Sequence, residues 1–246
     1  MSPEQLEKII KKCLDDFYRR RLEKLSTLKL KETLKKKNPY LFRAVGTQNA
    51  QEIVVAILRA FISSSDEGIF GDAFFEPIAK TVSGGVVSPS EGVDIAIENE
   101  KTYKAISVKS GPNIFNASQS KRMNDEFMTL KQRLLKLHKQ FDPILGHAYG
   151  NRKTSTSNKR IYRTLCGQAF WEELTGDSEF YIKIIHAMKD YPKQHRAIYD
   201  EEWNKAVNRF TKAFLNEFSV EDGSIDWDKL LRFNSGKERY SSDNRK

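Results

Sequence analysis

A chain of 246 residues with 42 lysines and arginines against 33 acids, a net charge of +9 and a pI of about 9.4 can bury one substantial core, since single domains run to roughly 250 residues. The charge favours a polyanionic partner but does not name the chemistry performed on it. Cys13 and Cys166 are far apart and lie in no metal-ligand spacing, and no signal peptide or apolar run of about 18 residues is found, so a reducing cytoplasm and no membrane are expected.

Ser2 as N-cap and Pro3 as first helical residue open a helix. Leu6, Ile9, Ile10, Cys13, Leu14, Phe17, Tyr18, Leu22 and Leu25 recur at helical spacing, an apolar face for packing on the body of the protein. The lysine run Lys29, Lys31, Lys35, Lys36, Lys37 is a solvated face also suited to nonspecific phosphate contact. Asn38-Pro39 ends this N-terminal extension. The sequence Asn38-Pro39-Tyr40-Leu41-Phe42-Arg43 leads into a second helix from about Gln48 to Phe61; Ser63–Glu67 is a polar break, and Phe70 to Val82 reads as a third helix despite Gly71 and Pro77. Glu76 lies there among Phe74, Phe75, Ile78 and Ala79, an acid that is expensive to bury without a partner.

Residues 82–87 read as a turn and short strand. Then Val93/Ile95/Ile97 and Tyr103/Ala105, passing into Ile106/Val108, alternate apolar and polar with period two around Asn99-Glu100-Lys101, which makes a β-hairpin. A two-residue Glu100-Lys101 turn sets Asn99 against Thr102 and Asp94 against Ser107, with Lys109 two residues further on the same face. A carboxylate beside an ammonium is what hydrolysis of a phosphodiester needs: the acid holds a divalent cation, and the amine orients water and offsets charge.

This hairpin resembles the catalytic core of the PD-(D/E)xK nuclease superfamily, with Asp94 matching the first acid and Lys109 the lysine. Val93 stands where a proline is often found, and Ser107 occupies the position of the second acid. A serine cannot carry a metal's charge, so the resemblance implies a carboxylate from elsewhere: Glu76 on the preceding helix is the choice, with Glu67, Asp72 and Glu126 as rivals. The Lys-Ser-Gly-Pro-Asn run beyond Lys109, Asn38–Arg43 upstream and Gly167–Glu172 downstream look like a group of type II restriction endonucleases, a likeness that spans about residues 38–235.

After Lys109 the segment Ser110–Arg122 breaks the strand and begins a helix to about Phe141. It offers amides, hydroxyls and two cations, so Ser110, Asn113, Asn116, Gln119, Lys121 and Arg122 are candidate DNA contacts. Asp142-Pro143 ends that helix and Ile144–Gly150 is the next strand. The loop Asn151–Arg160 carries four cations and no acid, and with Tyr149 it adds Asn151, Arg152, Lys153, Lys159 and Arg160 to those contacts. Ile161–Cys166 returns as a strand pairing with the previous one. Helices follow at Ala169–Leu174, Ser178–Met188 and Glu201–Phe218, with a closing piece at Asp226–Leu231 and a flexible polar tail over 236–246. His138, His147, His186 and His195 show no zinc spacing.

The expectation is an α/β (α+β) restriction-endonuclease-like domain over 1–235: a helical extension 1–37, a core region 82–166 whose mixed sheet has four to five strands between helices, and a helical part 167–235. By the resemblance it is a Mg²⁺-dependent homodimer that cuts both strands of a short specific DNA duplex and leaves 5′-phosphate ends. Asp94, Glu76 and the Val108 carbonyl would hold the metal. Lys109 would position and help deprotonate the water, and Ser107 would hydrogen-bond a water on the cation. The alternatives are a repair or junction-resolving nuclease, or a nucleic-acid-binding module without catalysis.

Overall fold

The computed structural model describes residues 1–88, 90–112, 116–135, 138–151, 153 and 160–236. By contact the chain divides into two compact units. One joins Met1–Arg19 to Glu67–His195; the other joins Arg20–Asp66 to the described residues from Arg196 onward.

The first unit is built on a five-stranded sheet in the order β1-β2-β3-β4-β5: β1 Val86–Val87, β2 Ile95–Glu98, β3 Thr102–Lys109, β4 Gln140–His147 and β5 Arg163–Cys166. The first three strands pair antiparallel and the last two join in parallel. Helices cover both faces, which is why Ala105–Val108 in the central strand is buried without interruption and the alternation of the hairpin lapses there. On one face α6, Ala117–Leu134, lays Met123, Phe127 and Leu130 against Ala96, Ala105 and Leu145. On the other, Ile95, Ile106, Val108, Ile144 and Leu165 pack with residues of α1 (Pro3–Thr27), α5 (Glu76–Ser83), α7 (Gln168–Thr175) and α8 (Phe180–Ala187). This is the expected mixed sheet between helices.

Helix α1 begins as its sequence dictates. Ser2 Oγ accepts from the Gln5 amide at 3.2 Å while Gln5 Oε1 accepts from the Ser2 amide at 2.9 Å, a reciprocal cap.

Several boundaries and one strand direction differ from the sequence reading. The polar stretch Ser63–Glu67 does not break the second helix: α4 runs from Ala50 to Phe70, with Asp66 paired to Arg21 at 2.8 Å and neither glycine nor proline in the stretch, so tertiary contact overrides the weak helix preference of serine and aspartate. A π-helical turn, Gly71–Phe75, then carries the chain directly into α5. Second, the helix after Lys109 ends at Leu134 rather than near Phe141, and β4 already begins at Gln140. Pro143 is accommodated because Gln140 turns its amide to β3, donating to the Lys101 carbonyl at 2.8 Å. Three residues on, position 143 faces the opposite edge, where β5 pairing starts only at Ile144. Third, β5 lies parallel to β4, so the chain between them is a crossover rather than a hairpin return.

The second unit is helical. The short α2 (Leu30–Leu34), with α4, α9 (Tyr191–Phe218) and α10 (Trp227–Ser235), contributes Leu30, Ile53, Val54, Ile57, Phe210, Phe214 and Leu230 to its core, and α3 (Pro39–Ala44) packs Phe42 against it. α9 starts ten residues before the expected Glu201, since Pro192 falls in its first turn, where no intrahelical amide is required.

Candidate active site

Asn99 sets the hairpin turn: its Oδ1 accepts from the Lys101 and Thr102 amides at 2.9 and 2.7 Å, and its amide donates to the Thr102 carbonyl at 3.0 Å. The strands therefore pair Glu98 with Tyr103 through to Ile95 with Ile106. The paired register stops there: Asp94, the residue before β2, turns its N–H to the Ile106 carbonyl at 2.9 Å, one residue out of step with the ladder, and its side chain reaches Ser107 and Val108 of β3.

The side chains converge on one carboxylate oxygen. Asp94 Oδ2 accepts from the Val108 amide at 2.6 Å and from Ser107 Oγ at 3.3 Å, and Lys109 Nζ stands 3.6 Å away. Oδ1 takes no hydrogen bond among the described residues. Asp94 and Lys109 side chains keep 22% and 30% of their surface exposed, so the pair opens to a ligand, whereas Ser107 is fully buried. The Ser107 hydroxyl is thus directed to Asp94, where it orients the carboxylate.

Backbone direction adds one more oxygen. Lys109 carries its carbonyl to β4, accepting from Ala148 N–H at 2.8 Å. Backbone groups alternate edges along a strand, so the amide and carbonyl of Val108 lie on the β2 edge. Opposite them β2 has ended, and the Val93 amide is turned to the Ser90 carbonyl at 3.2 Å.

Glu76 enters from the π-turn. It begins α5 half-buried, and its carboxyl is raised above the ordinary value, first by burial, then by the charges of Asp94 and Asp72, with Lys109 and Lys80 opposing. Burial penalises an ionised acid, and the negative charge of nearby carboxylates penalises it further. Both members of the hairpin pair act on Glu76, and this distinguishes it from its rivals. Asp72 is exposed on the π-turn. Glu67 faces Tyr149, whose phenol is raised by burial and by that carboxylate. Glu126 takes Arg122 Nε at 2.7 Å.

Among the described residues no three histidine, cysteine, aspartate or glutamate side chains group as a metal cluster. The donors at hand are two carboxylates and a carbonyl, hard oxygens without imidazole or thiolate. Such a donor set fits a hard divalent cation such as Mg²⁺ rather than a softer metal.

The candidate DNA contacts divide. Asn116 caps α6, accepting from the Gln119 amide at 2.9 Å while its own amide donates to Gln119 Oε1 at 3.0 Å, so both side chains serve the helix start. Arg122 is held by Glu126 and by Glu91 at 2.5 Å, an acid that nothing in the linear sequence marks. Ser110 Oγ donates to the Glu67 carbonyl at 3.4 Å. Lys121, Tyr149, Asn151 and Lys153 are exposed, and Arg160 lies 5.3 Å over the Tyr162 ring. Asn113, Arg152 and Lys159 lie outside the described residues, as does the tail beyond 236. The sequence also gave no sign of the bridge in which Arg163 joins Asp142 to Glu173, itself paired with Lys104, tying β3, β4, β5 and α7 together.

Residues 4–196 match the family model for Type II restriction endonuclease EcoO109I. No curated protein matches the chain. Among the described residues no helix is long and apolar enough to cross a membrane.

Proposed function

Because the chain belongs to the family of Type II restriction endonuclease EcoO109I, we propose that it is a Mg²⁺-dependent endodeoxyribonuclease that hydrolyses one phosphodiester in each strand of a short specific duplex sequence. The observation that carries this reading is the meeting of Asp94, Lys109 and Glu76: one ammonium 3.6 Å from one carboxylate, and a second acid whose ionisation both of them influence.

Asp94, Glu76 and the Val108 carbonyl would hold the cation, which would neutralise the two acids and draw charge from a phosphate oxygen. Val108 N–H and Ser107 Oγ fix Asp94 so that its free Oδ1 is the oxygen offered. Lys109 orients the attacking water in line with the P–O3′ bond and offsets negative charge as it grows on the phosphoryl oxygens. That bond breaks to leave a 3′-hydroxyl and a 5′-phosphate. One such centre cuts one strand, so symmetric cutting of a palindrome calls for a C2 homodimer.

Serine at the second acid position favours one other reading, a protein that holds DNA without cutting it. Incubation of the intact protein with mapped phage DNA and Mg²⁺ separates them. Discrete fragments support restriction, a smear indicates a nonspecific or repair nuclease, and intact DNA with a retarded band leaves only the binder.

A further inference from the structure

The lysine run after α1 splits in the folded second unit. Lys31 Nζ pairs with Glu217 at 2.7 Å, Lys29 with Glu32 at 3.7 Å, and Lys35 lies 6.0 Å over the Phe233 ring. Lys36 and Lys37 have neither an acid nor a ring among the described residues. Together with Lys24 they line a pocket of about 310 Å³ whose other polar lining is Ser64 and Ser65 of α4, with no acid in its wall. Lys24 is kept at that wall by the Phe61 ring, 5.6 Å from its Nζ.

Three lysines line this pocket and no acid does, so its charge is complementary to an anion with several oxygens. The backbone beneath Lys36 and Lys37 is already fixed. Their amides donate to the Thr33 and Leu34 carbonyls at 3.2 and 3.0 Å, and Asn234 Nδ2 donates to the Leu34 and Lys37 carbonyls at 3.0 Å each. A site whose backbone is ordered in advance loses less entropy when it binds. The serine hydroxyls add donors for the non-bridging oxygens of a phosphate.

We propose that this pocket in the second unit binds an internucleotide phosphate of the DNA duplex. The proposal rests on the reading of DNA as substrate, and its test separates the two. Binding of the intact protein to a duplex of about 30 base pairs is measured without divalent cation across a KCl series. K36Q/K37Q is expected to flatten the slope of log Kobs against log[KCl] by roughly one unit for each phosphate that the variant no longer neutralises. K29Q/K31Q removes the same charge from the same run outside the pocket and is expected to flatten it by less than half as much.

Equal flattening in both double variants, or none in K36Q/K37Q, overturns the pocket while leaving the nuclease reading intact. A wild-type protein that binds no DNA overturns both. S64A/S65A, which keeps every charge, is expected to weaken binding severalfold at fixed salt with the slope retained. If K36Q/K37Q does not fold, unchanged binding by S64A/S65A overturns the proposal. Inorganic phosphate at constant ionic strength forms the last arm: a raised Tm for the wild type together with an unaltered DNA slope in K36Q/K37Q assigns the pocket to free phosphate and overturns the DNA contact.

Discussion

The Val108 amide donates to Asp94 Oδ2 at 2.6 Å, so the strand that carries Lys109 also aims the carboxylate that Lys109 faces. Charge-assisted hydrogen bonds to backbone are among the stronger ones available. Asp94 therefore keeps its orientation before any ligand arrives, and a cation would meet an oxygen that needs no rearrangement.

Asp94→Asn and Lys109→Ala are each expected to reduce single-turnover cleavage by roughly a thousandfold or more, several kcal/mol of transition-state stabilisation, while gel-shift binding of the duplex is retained. Cleavage by either variant at near wild-type rate would falsify the assignment of the centre.

Glu76→Gln and Glu126→Gln distinguish the two helical acids. The first removes the charge that Asp94 and Lys109 act upon, and cleavage is expected to fall below detection. The second removes only a partner of Arg122, and cleavage is expected to persist. A reversed outcome moves the metal site to α6.

Glu76 also gives a pH signature. Its raised pKa means that the folded protein takes up this proton more readily than the unfolded chain, so stability from this group is present at low pH and lost as pH rises through the folded value. Without divalent cation, Glu76→Gln is expected to melt at a higher Tm than the wild type near pH 7, with the difference gone below about pH 4. Excess Mg²⁺ should then raise the Tm of the wild type and not of the variant, because only the former offers both acids to the cation. Thermal unfolding with and without chelator reads both effects.

Ser107→Ala removes one hydrogen bond to Asp94 and keeps the stronger one from Val108. A loss of about 1 kcal/mol corresponds to a fall in cleavage rate of roughly fivefold. A loss as large as that of Asp94→Asn would show that the hydroxyl acts on substrate rather than on the carboxylate.

Gly167 starts α7 at φ +53°, and a Cβ there would run into the Gly150 carbonyl oxygen. Backbone cannot swing aside as a side chain can, so Gly167→Ala is expected to cost about 1–3 kcal/mol in urea unfolding.

The hairpin was readable from the residues because both of its determinants are local. Period-two alternation fixes the faces, and Asn99 fixes the turn, so Ser107 and Lys109 share one face of β3, and Asp94, just before the paired end of β2, meets them there. The mixed sheet and its helical cover were likewise expected from the order of apolar segments. Glu76 was picked out by its buried neighbours on the helix before the hairpin, but that the charges of Asp94 and Lys109 act on its carboxyl follows only from the tertiary structure, in which α4 runs on through a π-turn into α5. The same holds for Arg122, whose partner Glu91 is distant in sequence, and for the lysine run, which charge alone cannot divide into paired and unpaired members. Strand pairing between neighbours is written in short-range pattern, whereas the meeting of side chains from separate elements depends on how helices pack, and no local periodicity encodes that.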